Sequence, residues 1–164
     1  MCSIKKLILT AAAIAVGTVV AASPALAQTR LKWAHVYETS EPYHKWSVWA
    51  ADEIKKRTNG KYEITVFPAS QLGKETDINQ GLQLGTVDII ISGLSFAART
   101  MPRIGVGYYP YTFRDGDHLV KWAKSPAFKE LTDEYRQKTG IQITAMTYYG
   151  ARHTTSNACR PPMP

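Results

Sequence analysis

Apolar and polar positions along the chain switch between a two-residue and a helical period. Residues 31–37 read as a strand. Ser40, Glu41 and Pro42 then offer a cap followed by proline in the first helical turn. From Tyr43 to Asn59, Tyr43, Trp46, Ala50 and Ile54 recur at helical spacing, and Gly60 supplies a stop. Residues 61–67 alternate strictly, with Tyr62, Ile64 and Val66 on one face and Lys61, Glu63 and Thr65 on the other. Strand, helix and strand in this span make a βαβ unit, whose crossover is right-handed. After a loop bracketed by Pro68 and Gly73, a second helix is expected over residues 74–84, with Ile78, Leu82 and Leu84 facing inward. Residues 87–92 form a continuous apolar run, as in a parallel strand buried on both faces. Residues 105–113, rich in Gly, Tyr and Pro, read as irregular or a short strand. Residues 115–124 and 126–139 read as helices, the second capped by Ser125, packed through Phe128, Leu131 and Tyr135, and closed by Gly140. Residues 141–149 are expected to be a final strand. The alternation defines an α/β lobe with a mainly parallel sheet flanked by helices.

The start of the chain departs from this pattern. Lys5 and Lys6 precede an apolar stretch from Leu7 to Ala22, and small residues at Ala25 and Ala27 follow. This is a secretory signal, residues 1–27, cut after Ala27. No later segment is long and apolar enough to span a bilayer. Removing Lys5 and Lys6 lowers the net charge of the 164-residue chain from +7 to +5. That modest, scattered excess excludes a nucleic-acid stripe; the one basic triplet, Lys55-Lys56-Arg57, reads as a solvated helix end. Cys2 lacks the upstream apolar run of a lipoprotein site and leaves with the signal, so Cys159 has no partner for an internal disulfide.

In a parallel sheet, ligands sit beyond the carboxyl ends of the strands. Here those ends are residues 35–38, 67–70, 92–95 and 148–152, expected to converge on one edge. His35, His44, His118 and His153 have no ligand-type spacing, so no metal and no cofactor is expected. Gly93-Leu94-Ser95-Phe96-Ala97 resembles a nucleophile turn, and Asp115 or Asp133 followed by His153 keeps a hydrolase order. A small secreted α/β hydrolase using Ser95 is therefore the alternative to a binding protein. A phosphate loop is excluded, since Gly105-Val106-Gly107 runs into Tyr108, Tyr109 and Pro110. Arg152, just past the last expected strand and among Thr, Ser and Asn, can hold a carboxylate through two parallel hydrogen bonds, or be a surface arginine in a polar loop.

Four stretches together resemble the solute-binding receptors of TRAP transporters, the DctP family. They are Phe67-Pro68-Ala69-Ser70-Gln71-Leu72-Gly73; Gly81 to Asp88, with its Gly85-Thr86-Val87-Asp88; Tyr109-Pro110-Tyr111; and Gly150-Ala151-Arg152-His153-Thr154-Thr155-Ser156-Asn157. The resemblance implies a periplasmic, two-lobed receptor that closes on an organic acid, C4-dicarboxylate-like, and delivers it to membrane permease subunits without performing chemistry on it. It implies that Arg152 is the family arginine that helps hold the ligand carboxylate. Val36 and Gly93 fall where some members carry polar pocket residues, and neither has a side chain that hydrogen-bonds. His35, Tyr37, Glu38, Ser92 and Ser95 are nearby candidates. Tyr111 is a candidate for the cleft and equally for the core. Family members are about twice as long and carry a second, principal arginine in the part with no counterpart here. The expected organisation is a signal peptide (1–27), a first lobe (28–157) and an aberrant Pro-rich tail (158–164), with the second lobe missing. A truncated chain of this kind is expected to bind its ligand weakly or not at all.

Overall fold

The computed structural model describes residues 28–151. Three parallel strands make the sheet: β1 (Thr29–Ala34), β2 (Tyr62–Phe67) and β3 (Ile89–Ile90), in the order β2-β1-β3. β1 is central, with Thr29 opposite Tyr62 and Ala34 opposite Phe67 on one side, and Trp33 and Ala34 opposite Ile89 and Ile90 on the other. The chain moves one way from β1 to β2 and back across β1 to β3. Right-handed crossovers in opposite directions put the two connecting helices on opposite faces. Side-chain alternation along β1 agrees. Ala34 and Val36 pack with Ile78 of α2 (Glu75–Leu84), whereas His35 meets His44 of α1 (Pro42–Arg57).

α1 starts at Glu41 with Pro42 in its first turn and ends with Lys55, Lys56 and Arg57. These cations complement the helix C-terminus, and all three also pair with carboxylates, Lys55 with Glu63 and the other two with Glu53. The buried stripe of α1 differs from the expected one. Ser47 and Ala51 face inward, while Trp46 is 65% exposed. The small side chains let the helix approach the sheet, and the Ser47 hydroxyl donates to the carbonyl of Tyr43 (2.7 Å), which satisfies its polarity locally. On α2, Ile78 is buried as expected but Leu84, in the last turn, stands in solvent. Asp77 Oδ2 accepts from the Lys74 N–H (2.9 Å) and closes the α2 N-terminus.

β3 is much shorter than the apolar run 87–92. The carboxylate of Asp88 accepts the Lys32 N–H (2.8 Å), taking a donor that a longer ladder would use. A helical layer follows: α3 (Leu94–Ala97), a 3-10 helix (Pro102–Gly107) that takes the start of the expected irregular segment and leaves residues 108–113 irregular, α4 (Gly116–Ala123) and α5 (Pro126–Thr139). Asp115 caps α4 through the His118 N–H (2.7 Å), and Ser125 caps α5 through the Phe128 N–H (3.3 Å). Met101, Ile104, Leu131 and Tyr135 form the core of this layer, with Leu94, Trp122, Ile141 and Ile143 against it. A second cluster, Ala34, Ile78 and Val87, lies between sheet and α2.

Residues 141–149 do not form the final strand. Ile141 and Ile143 turn inward on the helical core, so the alternation in the sequence is a true half-buried pattern. However, no described strand pairs with the segment, and its backbone runs along the exposed surface. Among the described residues, no helix is long and apolar enough to cross a membrane.

Candidate ligand-binding site

The carboxyl ends of the three strands meet at one edge. The chain after β1 continues alongside β2: the His35 N–H donates to the Phe67 carbonyl (3.1 Å), the Ala69 N–H to the Tyr37 carbonyl (2.9 Å) and the Ser70 N–H to the His35 carbonyl (3.3 Å). Ala69 and Ser70 both have positive φ, 48° and 60°. Non-glycine residues adopt this conformation only when their surroundings hold them there. These two bonds to the β1 extension do so, and they explain the tight Pro68 to Gly73 loop.

Glu75, in the first turn of α2, ties β3 to this edge. Its Oε1 accepts from the Gly93 N–H (2.8 Å) and the Ser92 hydroxyl (3.0 Å). Asn79 donates to Ser92 Oγ (2.8 Å) and to the Glu75 carbonyl (2.6 Å). An acid at a helix N-terminus is favourable in its own right; here it also fixes the backbone where β3 passes into α3.

On the α1 side, three tyrosine rings cluster. Tyr37 and Tyr43 stack with centroids 4.6 Å apart, Tyr43 and Tyr149 stack at 5.2 Å, and Tyr37 and Tyr149 are tilted at 5.5 Å. The Tyr149 hydroxyl donates to Glu41 Oε2 (2.8 Å), and Glu41 Oε1 accepts from the Glu38 N–H (3.0 Å). These bonds, Tyr149 first, hold the Glu41 carboxyl below the usual carboxylate range. The hydroxyls of Tyr43 and Thr147 share a 2.7 Å bond. Burial pushes the Tyr37 phenol up to about 12, with smaller contributions from Tyr43, Glu75, Tyr149 and Glu41. Beneath the cluster His35 is only 1% exposed, with Nε2 3.3 Å from His44 Nδ1. Burial, then the neighbouring His44, lowers the His35 pKa.

The structure thus brings together His35, Tyr37, Glu38 and Ser92 from the sequence-derived candidates, with Ser95 beside Gly93 on α3. His35 supports the edge from below rather than facing solvent. Tyr111 is fully exposed at a left-handed turn (φ 63°), which removes the core-aromatic alternative; no described contact ties it to the strand tips. Arg152 and His153 lie outside the described residues, as does the tail. Glu75 and Asn79 carry no signal in the sequence, and Glu41 and Tyr43 read there as helix residues rather than as site residues. Tyr149 stood only inside the stretch leading to Arg152, and its pairing with residues 37, 41 and 43 is visible only in three dimensions.

Of the hydrolase alternative, His153 lies outside the described residues, so only Ser95 and the two candidate acids can be placed. Asp115 is occupied as the cap of α4 and Asp133 by Lys129 on the surface of α5. Among the described residues, no three His, Cys, Asp or Glu side chains are placed to share a metal ion.

A parallel lobe whose strand tips present a shallow polar and aromatic edge is the form of one lobe of a periplasmic-type binding protein. The sequence profile of the bacterial extracellular solute-binding proteins of family 7, DctP, matches residues 33–161. The chain belongs to this family. It is 30% identical over 146 residues to a solute-binding protein of Roseobacter denitrificans, covering 88% of this chain and 45% of that one. It is 29% identical over 144 residues to the sialic acid-binding periplasmic protein of Vibrio cholerae, covering 88% and 45%. In three dimensions it is similar to a TRAP periplasmic solute-binding protein of Haemophilus influenzae with bound L-gulonate. The TM-score is 0.66 at 33% identity, covering 72% of this chain and 38% of that one. It is also similar to one of Sulfurospirillum deleyianum with bound succinate (TM-score 0.62, 31% identity, 66% and 35% covered). The chain spans less than half the length of the relatives it matches.

Proposed function

We propose that this chain supplies one wall of an organic-acid receptor that works in the periplasm and hands its ligand to the permease subunits of a TRAP transporter. The observation that carries the reading is the convergence of residues 35–38, 67–70 and 92–95 with Tyr149, three positions before Arg152, in a chain of this family. In this reading Arg152 holds the ligand carboxylate. Glu38, Glu41 and Glu75 give the edge an acidic character, so a bound anion needs a guanidinium as counterpart. The C4-dicarboxylate expected from the sequence is one acid within a class that, among the relatives, includes gulonate, succinate and sialic acid.

The 164-residue chain alone should bind such acids weakly. A carboxylate held against one wall stays in contact with water, and an exposed ion pair contributes only about 0–1 kcal/mol. The test is saturation-transfer NMR of succinate with the signal-free chain and with Arg152→Ala. Millimolar binding that disappears in the variant supports the reading. Equal saturation with both proteins, or none with either, contradicts it.

A further inference from the structure

The two tryptophans of α1 stand on the face turned away from the sheet. Ser47 and Ala51 take the sheet side, while Trp46 is 65% and Trp49 53% exposed. Their rings meet edge to face with centroids 5.4 Å apart. Tryptophan ordinarily buries most of its area, and a contiguous exposed aromatic patch marks a surface that another molecule covers.

The charges beside the patch indicate which molecule. Positions four apart on a helix lie along one stripe. Lys45, Trp49 and Glu53 form such a stripe, with the cation and the acid equidistant from the central ring. Among the described residues, the Lys45 ammonium pairs with no carboxylate. Glu53 pairs with Lys56 through Oε1 and with Arg57 through Oε2, both at 3.3 Å. Each of its oxygens keeps a lone pair for a further donor. A two-fold axis through Trp49, at right angles to α1, sets two copies antiparallel. It brings the tryptophans of one copy onto those of the other and places each Lys45 opposite the partner subunit's Glu53. A symmetric contact needs this kind of self-complementarity. Parallel helices would set lysine on lysine and glutamate on glutamate. An anionic lipid surface attracts cations and is repelled by the Glu53 end of the stripe. From this arrangement we propose that the outer face of α1 is the contact surface of a homodimer, two copies of this chain packed antiparallel through Trp46 and Trp49 and held in register by Lys45–Glu53 pairs. The indoles offer on the order of 250 Å² per protomer. A stable interface takes about 800 Å² per partner, so the dimer is weak and forms at high concentration. The proposal goes beyond the receptor reading and uses none of the strand-tip residues.

Sedimentation equilibrium of the signal-free full chain from about 10 µM to 1 mM, the range in which so small an interface associates, is the test. The mean mass should climb toward twice that of one chain. Trp49→Ser should weaken association about tenfold or more, as loss of a central aromatic anchor does. Lys45→Glu and Glu53→Lys each turn two attractions into repulsions and should weaken it about threefold or more. The chain carrying both exchanges should regain most of that loss. All four positions are on the outer side of α1, and circular dichroism checks that each variant is folded. A chain monomeric at the highest concentration overturns the proposal, as does association indifferent to Trp49→Ser or a double exchange no better than the single ones. So does a blue shift of tryptophan emission on phosphatidylglycerol vesicles from a chain that stays monomeric, because the face would then be a lipid contact.

Discussion

Removing the Glu75 carboxylate tests the internal logic of the strand-tip edge. In Glu75→Ala the Gly93 N–H loses its 2.8 Å partner and the Ser92 hydroxyl its 3.0 Å partner. Hydrogen bonds to a charged group are worth about 1.5–3 kcal/mol each, and a stranded partner costs about 1–3 kcal/mol. The site is half-buried, so water recovers part of this, and Asn79 still reaches Ser92. The loss of a first-turn acid on α2 adds about 0.3–1 kcal/mol. The net expectation is about 2 kcal/mol. For a unit of this size that lowers the melting temperature by about 6–10 °C. Glu75→Gln keeps an acceptor but not the charge and should cost about half as much. Thermal and urea unfolding followed by circular dichroism measure both variants. Two results refute the reasoning: Glu75→Ala within about 0.5 kcal/mol of the parent, or Glu75→Gln as damaging as Ala.

Ile104 is 0% exposed at the centre of the helical core, so Ile104→Ala should cost about 2–5 kcal/mol in urea unfolding; under 1 kcal/mol would mean the layer is not packed as described. Burial raises both Tyr37 and Tyr135, and ultraviolet titration should show a tyrosine ionising near 12 that disappears in Tyr37→Phe. Because the folded value exceeds the ordinary 10.0, Tyr37 favours the fold below pH 10 and that contribution fades as pH rises toward 12. His35 works in the opposite direction. Its folded pKa lies below the ordinary 6.5, so the unfolded chain takes up the proton first, and the urea midpoint should fall as pH drops below 6.5. A midpoint unchanged from pH 7.5 to 5.5 would contradict the buried placement of His35.

Much of the scaffold is legible in the sequence because its signals are local. Ser125, Pro126 and Gly140 bound α5 as their cap chemistry requires, and Pro42 and Gly60 bracket α1. The strict alternation from Lys61 to Phe67 marks β2. The misses are tertiary. Trp46 fits the helical period, but Ser47 is the residue that the sheet can accommodate. The apolar run 87–92 looks like a full strand, yet the Asp88 side chain diverts the Lys32 N–H. Ile141 and Ile143 alternate like a strand, although a ladder needs a neighbour that no local pattern announces. The candidate site was legible as a set of strand ends; the Arg152 stretch lies outside the described residues. The aromatic cluster of the site was not legible, since Tyr149 lies 112 positions from Tyr37 in sequence and their contact depends on how residues 141–150 cross the surface. Glu75 likewise gains its role only because Gly93 folds back onto it.

Amide chemical-shift mapping with succinate tests the central claim most directly, that these strand ends form the ligand wall. The predicted result is a set of shifts concentrated at His35 to Glu38, at Gly93 to Ser95 and at Tyr149 to Arg152. Shifts confined instead to the outer face of α5, around Lys129, Glu130 and Asp133, or to the groove between α1 and β2 at Val48, Lys55 and Glu63, would contradict it.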